Sequence, residues 1–183
     1  RNDILTRFFE TGAMTKSEVE PSLSPSMDIQ VSSNFERFLF DLLDRKADDL
    51  RAKMDSFKQS GEFTLTDKQM KEARKIFDAR RCSDEQTTTI MANCYRDTGY
   101  MIDPHTAVGI HAALGVERDM ALPLVALACA HPAKFPDAVE KATGIRPPLP
   151  PHMADLYDKK EILTVLLNDL GQLQGFVREN VKQ

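Results

Sequence analysis

An apolar run that ends in titratable residues limits what this chain can fold into more than any other segment. Residues 124–129 are apolar throughout, and residues 130–136, which follow directly, include His131 and Lys134. A short apolar run without alternation is typical of a buried strand in a mostly parallel sheet. Because ligands collect beyond the carboxyl ends of such strands, the junction predicts a functional site. The competing interpretation is a capping turn at His131–Pro132 with a solvated Lys134.

Three further segments carry helix-start or loop signals. In residues 103–109, Asp103 is a predicted N-cap, and Pro104 occupies the first turn, where its missing N–H costs nothing. The unpaired N–H groups of such a helix start suit a phosphate or carboxylate. Residues 2–12 predict an amphipathic helix that ends at Gly12. Residues 24–37 predict a polar loop that leads into a helix.

In this order, the segments resemble the C-terminal part of the threonine synthases over nearly the whole chain. They are Arg1-Asn2-Asp3-Ile4-Leu5, residues 24–37, Asp103-Pro104-His105-Thr106-Ala107-Val108 and Ala130-His131-Pro132-Ala133-Lys134-Phe135. Residues 45–100 match the family only in character. The resemblance implies the α/β fold class, as the C-terminal portion of a fold-type II pyridoxal-phosphate enzyme that is helix-rich with a few mostly parallel strands.

The resemblance also implies a reaction, the conversion of O-phospho-L-homoserine and water to L-threonine and phosphate. Pyridoxal 5′-phosphate supplies the electron sink. In the family, the lysine that holds this cofactor as a Schiff base lies upstream of the segment that matches Arg1, as does the glycine-rich loop for the cofactor phosphate. The chain is therefore expected to be a C-terminal fragment that is inactive alone and that needs the N-terminal part of the same enzyme as its partner.

Two other functions remain open from the sequence. One is a threonine-synthase-like phospholyase that acts on a related phosphorylated amino acid, and the other is a non-enzymatic helical interaction module. For a fragment, we also predict self-association, because residues 124–128 would lose their cover and unpaired strands invite pairing.

Cys129 is the predicted cofactor-binding residue, because the family normally has Thr here with its hydroxyl facing the pyridine nitrogen of the cofactor. A cysteine can act there as a weak donor or acceptor, or it can be a small buried apolar residue at a strand end. Lys134 is not assigned a catalytic role, since prolines on both sides indicate an exposed turn, and the chain is expected to contain no catalytic residue. Substrate or phosphate contacts are assigned to Asn2, Ser26, Asn34, Asp103, His105, Thr106 and His131.

Composition narrows the class of protein. Apolar residues make up 42% and charged residues 28% of the 183 residues, which is ordinary for a soluble globular protein. The net charge of −4 and the absence of a basic stripe argue against nucleic acid as a partner. No apolar stretch approaches the roughly 20 residues that span a membrane. Three cysteines without framework spacing predict reduced thiols in the cytoplasm, and the four histidines show no metal-ligand spacing with them, so no metal is expected.

The chain divides into blocks by pattern. Residues 1–45 are predicted to be part of the large cofactor-binding domain, and residues 46–100 an all-helical accessory subdomain. Residues 101–146 return to the sheet of the large domain. Residues 147–183 contain a proline-rich linker and a C-terminal helix capped by Asp169.

Capping boxes mark three helix starts within these blocks, at Ser33 with Glu36, Thr66 with Gln69, and Ser83 with Gln86. Residues 161–167 are apolar without a clear period, and their pattern does not decide between helix and strand.

Overall fold

Helices make up most of the regular structure. The computed structural model describes residues 2–181, so Arg1, the first residue of the family-like opening, lies outside the described part, as do Lys182 and Gln183. The chain divides into two compact units, Arg1–Pro148 and Leu149–Gln183. The helices of the described residues are α1 (Ile4–Thr11), α2 (Phe35–Leu42), α3 (Ala47–Ser60), α4 (Asp67–Ala73), α5 (Asp84–Thr98), α6 (Pro104–Leu114), α7 (Pro136–Thr143) and α8 (Leu170–Asn180).

Local capping chemistry sets many of the helix ends. The predicted boxes at Thr66 and Ser83 both form, with each hydroxyl accepting a backbone N–H and a glutamine side chain returning the second hydrogen bond. Gly12 and Gly61 end α1 and α3 with φ of 78° and 80°, in the left-handed region that favours glycine.

The predicted capping box at Ser33 and Glu36 is wrong. The N-cap of α2 is Asn34, one residue later, and its side chain makes no cap hydrogen bond. With this start, Glu36 occupies the second helical position instead of the third, so it cannot return the hydrogen bond that closes a box.

The two strands of the described residues form one small sheet. Strand β1 (Ala13–Thr15) pairs with β2 (Glu62–Thr64) in antiparallel fashion, and the buried side chains of Met14 and Phe63 lie opposite each other. Mostly parallel pairing was expected, and residues 46–100 were expected to be all-helical, so both details are wrong for this part of the chain. The physical reason is that each strand follows a helix directly, and the buried side chains of both strands join the same core as those helices.

Aromatic and aliphatic side chains of α1 to α4 and both strands form a first core. Phe8 is fully buried at its centre and makes ring contacts with Phe9, Phe35 and Phe63. Both predicted blocks, residues 1–45 and residues 46–100, contribute side chains to this core. The boundary between them stays a prediction. The buried members are Ile4, Phe8, Met14, Leu39, Phe57, Phe63, Leu65 and Met70.

A second core forms where α5, α6 and α7 pack together. Its buried members are Met91, Ile102, Ala107 and Val139. The start of α6 lies inside this core, so the polar residues at that helix start are buried with it.

Residues 124–128 do not form the predicted strand. Leu124, Val125 and Leu127 are 41%, 76% and 77% exposed. Within residues 2–181, only β1 and β2 pair as strands. A strand needs a hydrogen-bonded neighbour, and no described segment supplies one to this run.

The second unit contains α8 and a long irregular approach to it. Asp169 caps α8 as predicted, by accepting the backbone N–H of Gln172. Residues 161–167 are neither helix nor strand, and Ile162 and Val165 are 93% and 85% exposed. None of the helices in residues 2–181 is long and apolar enough to cross a membrane.

Candidate active site

Asp103 lies at the start of α6 with its side chain completely buried. It is the N-cap that the sequence predicts, and the backbone N–H groups of His105 and Thr106 donate to its two carboxylate oxygens over 3.0 and 3.1 Å. These two hydrogen bonds satisfy donors that the first turn of a helix leaves unpaired. Capping therefore explains why an aspartate stands here.

Three further donors converge on the same carboxylate. The Thr106 hydroxyl donates to Oδ1, as does the backbone N–H of Ala130 over 3.3 Å, while Nδ1 of His105 lies 2.8 Å from Oδ2. Burial acts to raise the pKa of Asp103, but the hydrogen bonds from Thr106 and His105 outweigh it and hold the pKa below its ordinary value. The carboxylate is thus ionised at neutral pH and held by five donors.

The partners of His105 fix which ring nitrogen carries the proton. A backbone N–H can only donate, so Nε2 of His105 accepts from Ser26, 3.2 Å away. Nδ1 then carries the hydrogen and donates to the ionised Asp103. The ring also packs against Phe135, with centroids 4.6 Å apart. His105 therefore connects Asp103 to the loop at Ser26, which lies 79 residues before His105 in the sequence.

The Thr106 hydroxyl connects the helix start to Cys129. While it donates to Asp103, it accepts the backbone N–H of Cys129 over 2.9 Å. The next N–H, of Ala130, is held by Asp103, so two consecutive peptide groups are fixed. The Cys129 thiol is exposed and contacts the carbonyl of Leu127 over 3.7 Å. The interpretation of Cys129 as a small buried apolar residue is therefore wrong for this structure, in which the residue is exposed.

His131 caps a turn. Its Nδ1 accepts the backbone N–H of Ala133 over 3.2 Å at the start of the 3-10 turn Pro132–Lys134. The alternative of a capping turn is thus confirmed, and a contact of His131 with substrate stays a prediction. Lys134 is exposed, as expected, with its ammonium 5.8 Å from the centroid of the Phe135 ring.

Asn2 ties α1 to the polar loop. Its side-chain nitrogen donates to the Glu20 carbonyl and to Asp28, over 2.6 and 2.7 Å, and its side-chain oxygen accepts the N–H of Glu20 over 3.0 Å. The amide is therefore engaged in shaping the loop, and its assignment as a substrate contact stays a prediction.

A cavity of about 320 Å³ lies beside this loop. Asn2 and Ser26, two of the predicted contact residues, line it. Arg80 and Arg81 also line it, and the sequence predictions missed both. The signal that could have found them is a pair of arginines just before a capped helix, where an anion is favoured.

Asn34 is separate from the cavity. Its side chain is exposed at the N-cap of α2 and is not part of the cavity lining. In residues 2–181, no three His, Cys, Asp or Glu side chains are arranged to hold a metal ion.

Comparison with known proteins decides the family. Residues 106–177 match the family model described as threonine synthase, C-terminal. A threonine synthase of Pseudomonas aeruginosa is 50% identical over 181 residues, which are 98% of this chain and 39% of that protein. This chain belongs to the threonine synthase family.

Two solved threonine synthases share the fold. A pyridoxal-phosphate-bound threonine synthase from Brucella melitensis superposes with a TM-score of 0.87 at 44% identity, covering 97% of this chain and 38% of that one. The yeast threonine synthase gives a TM-score of 0.80 at 30% identity, over 97% of this chain and 40% of that one. The chain thus spans less than half the length of these threonine synthases. The predicted fold class, a helix-rich C-terminal portion of an α/β pyridoxal-phosphate enzyme, is confirmed.

The residues at Cys129 fit the cofactor of a threonine synthase. A thiol is a weak, neutral hydrogen-bonding group, which suits a pyridine nitrogen that is to stay unprotonated. Cys129 is exposed, and its own peptide N–H and that of Ala130 are held by hydrogen bonds, while its role at the cofactor stays a prediction.

Proposed function

We propose that the protein containing this chain converts O-phospho-L-homoserine and water to L-threonine and phosphate with pyridoxal 5′-phosphate. The observation that carries the proposal is the 50% identity to a threonine synthase over nearly the whole chain. When bound, the cofactor supplies an electron sink that makes carbon atoms next to it acidic. The residues of this chain orient and shield that chemistry.

Cys129 is the cofactor-facing residue in this proposal. Cys129 would hold the pyridine side of the cofactor, where its thiol would supply a weak hydrogen-bonding partner. The support is the exposed thiol on a backbone that Thr106 and Asp103 hold in place.

The cavity beside Ser26 is the substrate side. Phosphohomoserine carries a phosphate, a carboxylate and an ammonium group, so it needs partners of both signs. The cavity lining contains Arg80 and Arg81 together with Asp3 and Asp28. In this assignment the guanidinium groups bind the phosphate, for which they have suitable donors, and Ser26 and Asn2 shape the wall.

The remainder of the enzyme completes the site. We assign residues 1–45 and 101–146 to the large cofactor domain and residues 46–100 to an accessory subdomain, with the cofactor-binding lysine in the N-terminal part. Residues 124–128 become a strand when that part supplies a neighbour. Two observations support this: the run is apolar yet exposed, and the related threonine synthases are more than twice as long.

Phosphate release by the full-length protein tests the function. With pyridoxal phosphate bound, O-phospho-L-homoserine should yield phosphate and threonine in equal amounts, measured by colorimetry and chromatography. O-phospho-L-serine is the matched control, because it lacks one methylene. Preference for this or another phosphorylated amino acid would favour the phospholyase alternative, and failure to bind the cofactor would favour an interaction module.

The isolated chain tests where the reactive lysine lies. Mixed with pyridoxal phosphate and reduced with borohydride, it should show no stoichiometric lysine adduct by intact mass, and no phosphate release. A full adduct that maps to Lys134 would overturn the assignment of the lysine to the N-terminal part.

A further inference from the structure

The carboxylate of Asp103 has more partners than a helix cap requires. Two hydrogen bonds to the first turn complete the cap. The other three come from the side chains of His105 and Thr106 and from the peptide N–H of Ala130, 27 residues away. Because an ionised, fully buried group is costly unless it is satisfied, this excess indicates a role beyond starting a helix.

One arm of the network runs through Thr106 to the cofactor side. Its hydroxyl is donor to Asp103 and acceptor from Cys129 at the same time. Serine can make both hydrogen bonds, whereas valine has the same shape and can make neither. The backbone N–H of Cys129 is therefore held by one hydroxyl group.

The other arm runs through His105 to the substrate side. Nδ1 faces Asp103 over 2.8 Å and Nε2 accepts from Ser26, which lines the cavity. Asparagine in place of His105 can donate where Nδ1 stands but is too short to reach Ser26. Glutamine can place its amide oxygen near the position of Nε2.

We infer that Asp103, His105 and Thr106 form one positioning unit, which sets Cys129 against the cofactor through Thr106 and sets Ser26 against the substrate through His105. The inference rests on the proposed function. None of the three residues needs to touch a reacting atom, and the two arms should have separable effects: Thr106 governs cofactor binding, and His105 governs substrate binding.

The Thr106 arm is tested on the full-length protein with Thr106→Val and Thr106→Ser. Thr106→Val leaves the Cys129 N–H without a partner and removes one of the three donors to Oδ1 of Asp103, so we expect about tenfold weaker cofactor binding in a titration, together with a shifted cofactor absorbance band. Thr106→Ser should restore both values. If Thr106→Val fails to fold, Thr106→Cys, a weaker donor and acceptor, makes the same comparison with a smaller change.

The His105 arm is tested with His105→Asn and His105→Gln under the same conditions. His105→Asn should raise KM for O-phospho-L-homoserine several-fold, with the cofactor absorbance band and cofactor affinity unchanged, and His105→Gln should recover part of the loss. A Thr106→Val protein that matches Thr106→Ser, or a His105→Asn protein with altered cofactor absorbance, would overturn the inference. An unsubstituted protein that neither binds the cofactor nor releases phosphate would instead overturn the proposed function.

Discussion

The first core and residues 124–128 are both strongly apolar, yet they end in opposite environments. Phe8 is completely buried among aromatic rings, whereas Val125 and Leu127 are about three-quarters exposed, at 76% and 77%. The core is built mainly from helices, whose backbone hydrogen bonds are internal, and its two strands pair with each other. A single extended run cannot satisfy its own backbone groups. Apolar character alone therefore buries a helix but not a strand.

The largest expected change in stability follows from a substitution in the first core. Phe8→Ala should lower the free energy of unfolding by about 3–5 kcal/mol, because it leaves a cavity in a close-packed aromatic cluster. Urea denaturation followed by circular dichroism measures the change, with Leu127→Ala in the same 183-residue chain as the matched control. The control should change stability by less than about 0.5 kcal/mol, and a comparable loss in both variants would remove the distinction.

In the full-length enzyme, the exposed run at residues 124–128 should become buried. If residues 124–128 pair there as a buried strand, Leu127→Ala should cost about 2–5 kcal/mol, as for other buried leucines. The same substitution in the isolated chain is the reference. An equally small effect in the full-length protein would show that this run stays outside the sheet.

Replacing Asp103 should change the free energy of unfolding by a smaller amount, and this change should depend on pH. Asp103→Asn should cost about 1–3 kcal/mol at neutral pH, since the amide cannot accept from all five donors. The pKa of Asp103 is lowered in the folded state from its ordinary value of 3.8. The unfolded chain is thus protonated first as the solution is acidified. The stabilisation is fully present above the unfolded pKa and is lost as pH falls through the folded pKa.

A pH series of denaturation curves for the wild type and Asp103→Asn checks this sign. The stability difference between them should shrink on acidification, and a difference that grows towards low pH would contradict the ionised state of Asp103. The side chain of His105 also contacts this carboxylate. The same pH series on His105→Asn therefore shows whether the pH dependence persists without the imidazole.

Loss of a capping box should lower the free energy of unfolding by a smaller amount again. Ser83→Ala should cost about 1 kcal/mol, because the backbone N–H of Gln86 in the first turn of α5 loses its partner. Thr89→Ala, on the exposed face of the same helix, should be near neutral, since alanine has the higher helix propensity. Equal costs for both would mean that the box contributes little.

The smallest expected effect is on self-association of the isolated chain. Sedimentation should show concentration-dependent association, which Val125→Lys weakens by placing a charge on the exposed run. Gln59→Lys, at an exposed position of α3, is a control that adds the same single positive charge. A monomeric chain at all concentrations would show that the exposed run does not attract a second copy.

Much of the site could be anticipated, but only in pieces. Asp103 was predictable as a cap because an N-cap aspartate acts within three residues of itself. The contacts of Ser26 with His105 and of Ala130 with Asp103 were not, because separations of 79 and 27 residues are closed only by packing. The cavity arginines were missed because their signal, a basic pair just before a capped helix, indicates an anion site only when the residues packed around it are known.

What the sequence determined by itself is the set of helix starts and stops and the family. The boxes at Thr66 and Ser83 and the glycine after α1 act over a single helical turn, and four motif segments in one order are enough to indicate the family. Only the tertiary structure decided which strands pair, that Cys129 is exposed while its backbone is held, and that one buried carboxylate connects two distant loops. These properties depend on contacts between segments far apart in the chain, and the free energy of such contacts exists only when the whole fold has brought the segments together.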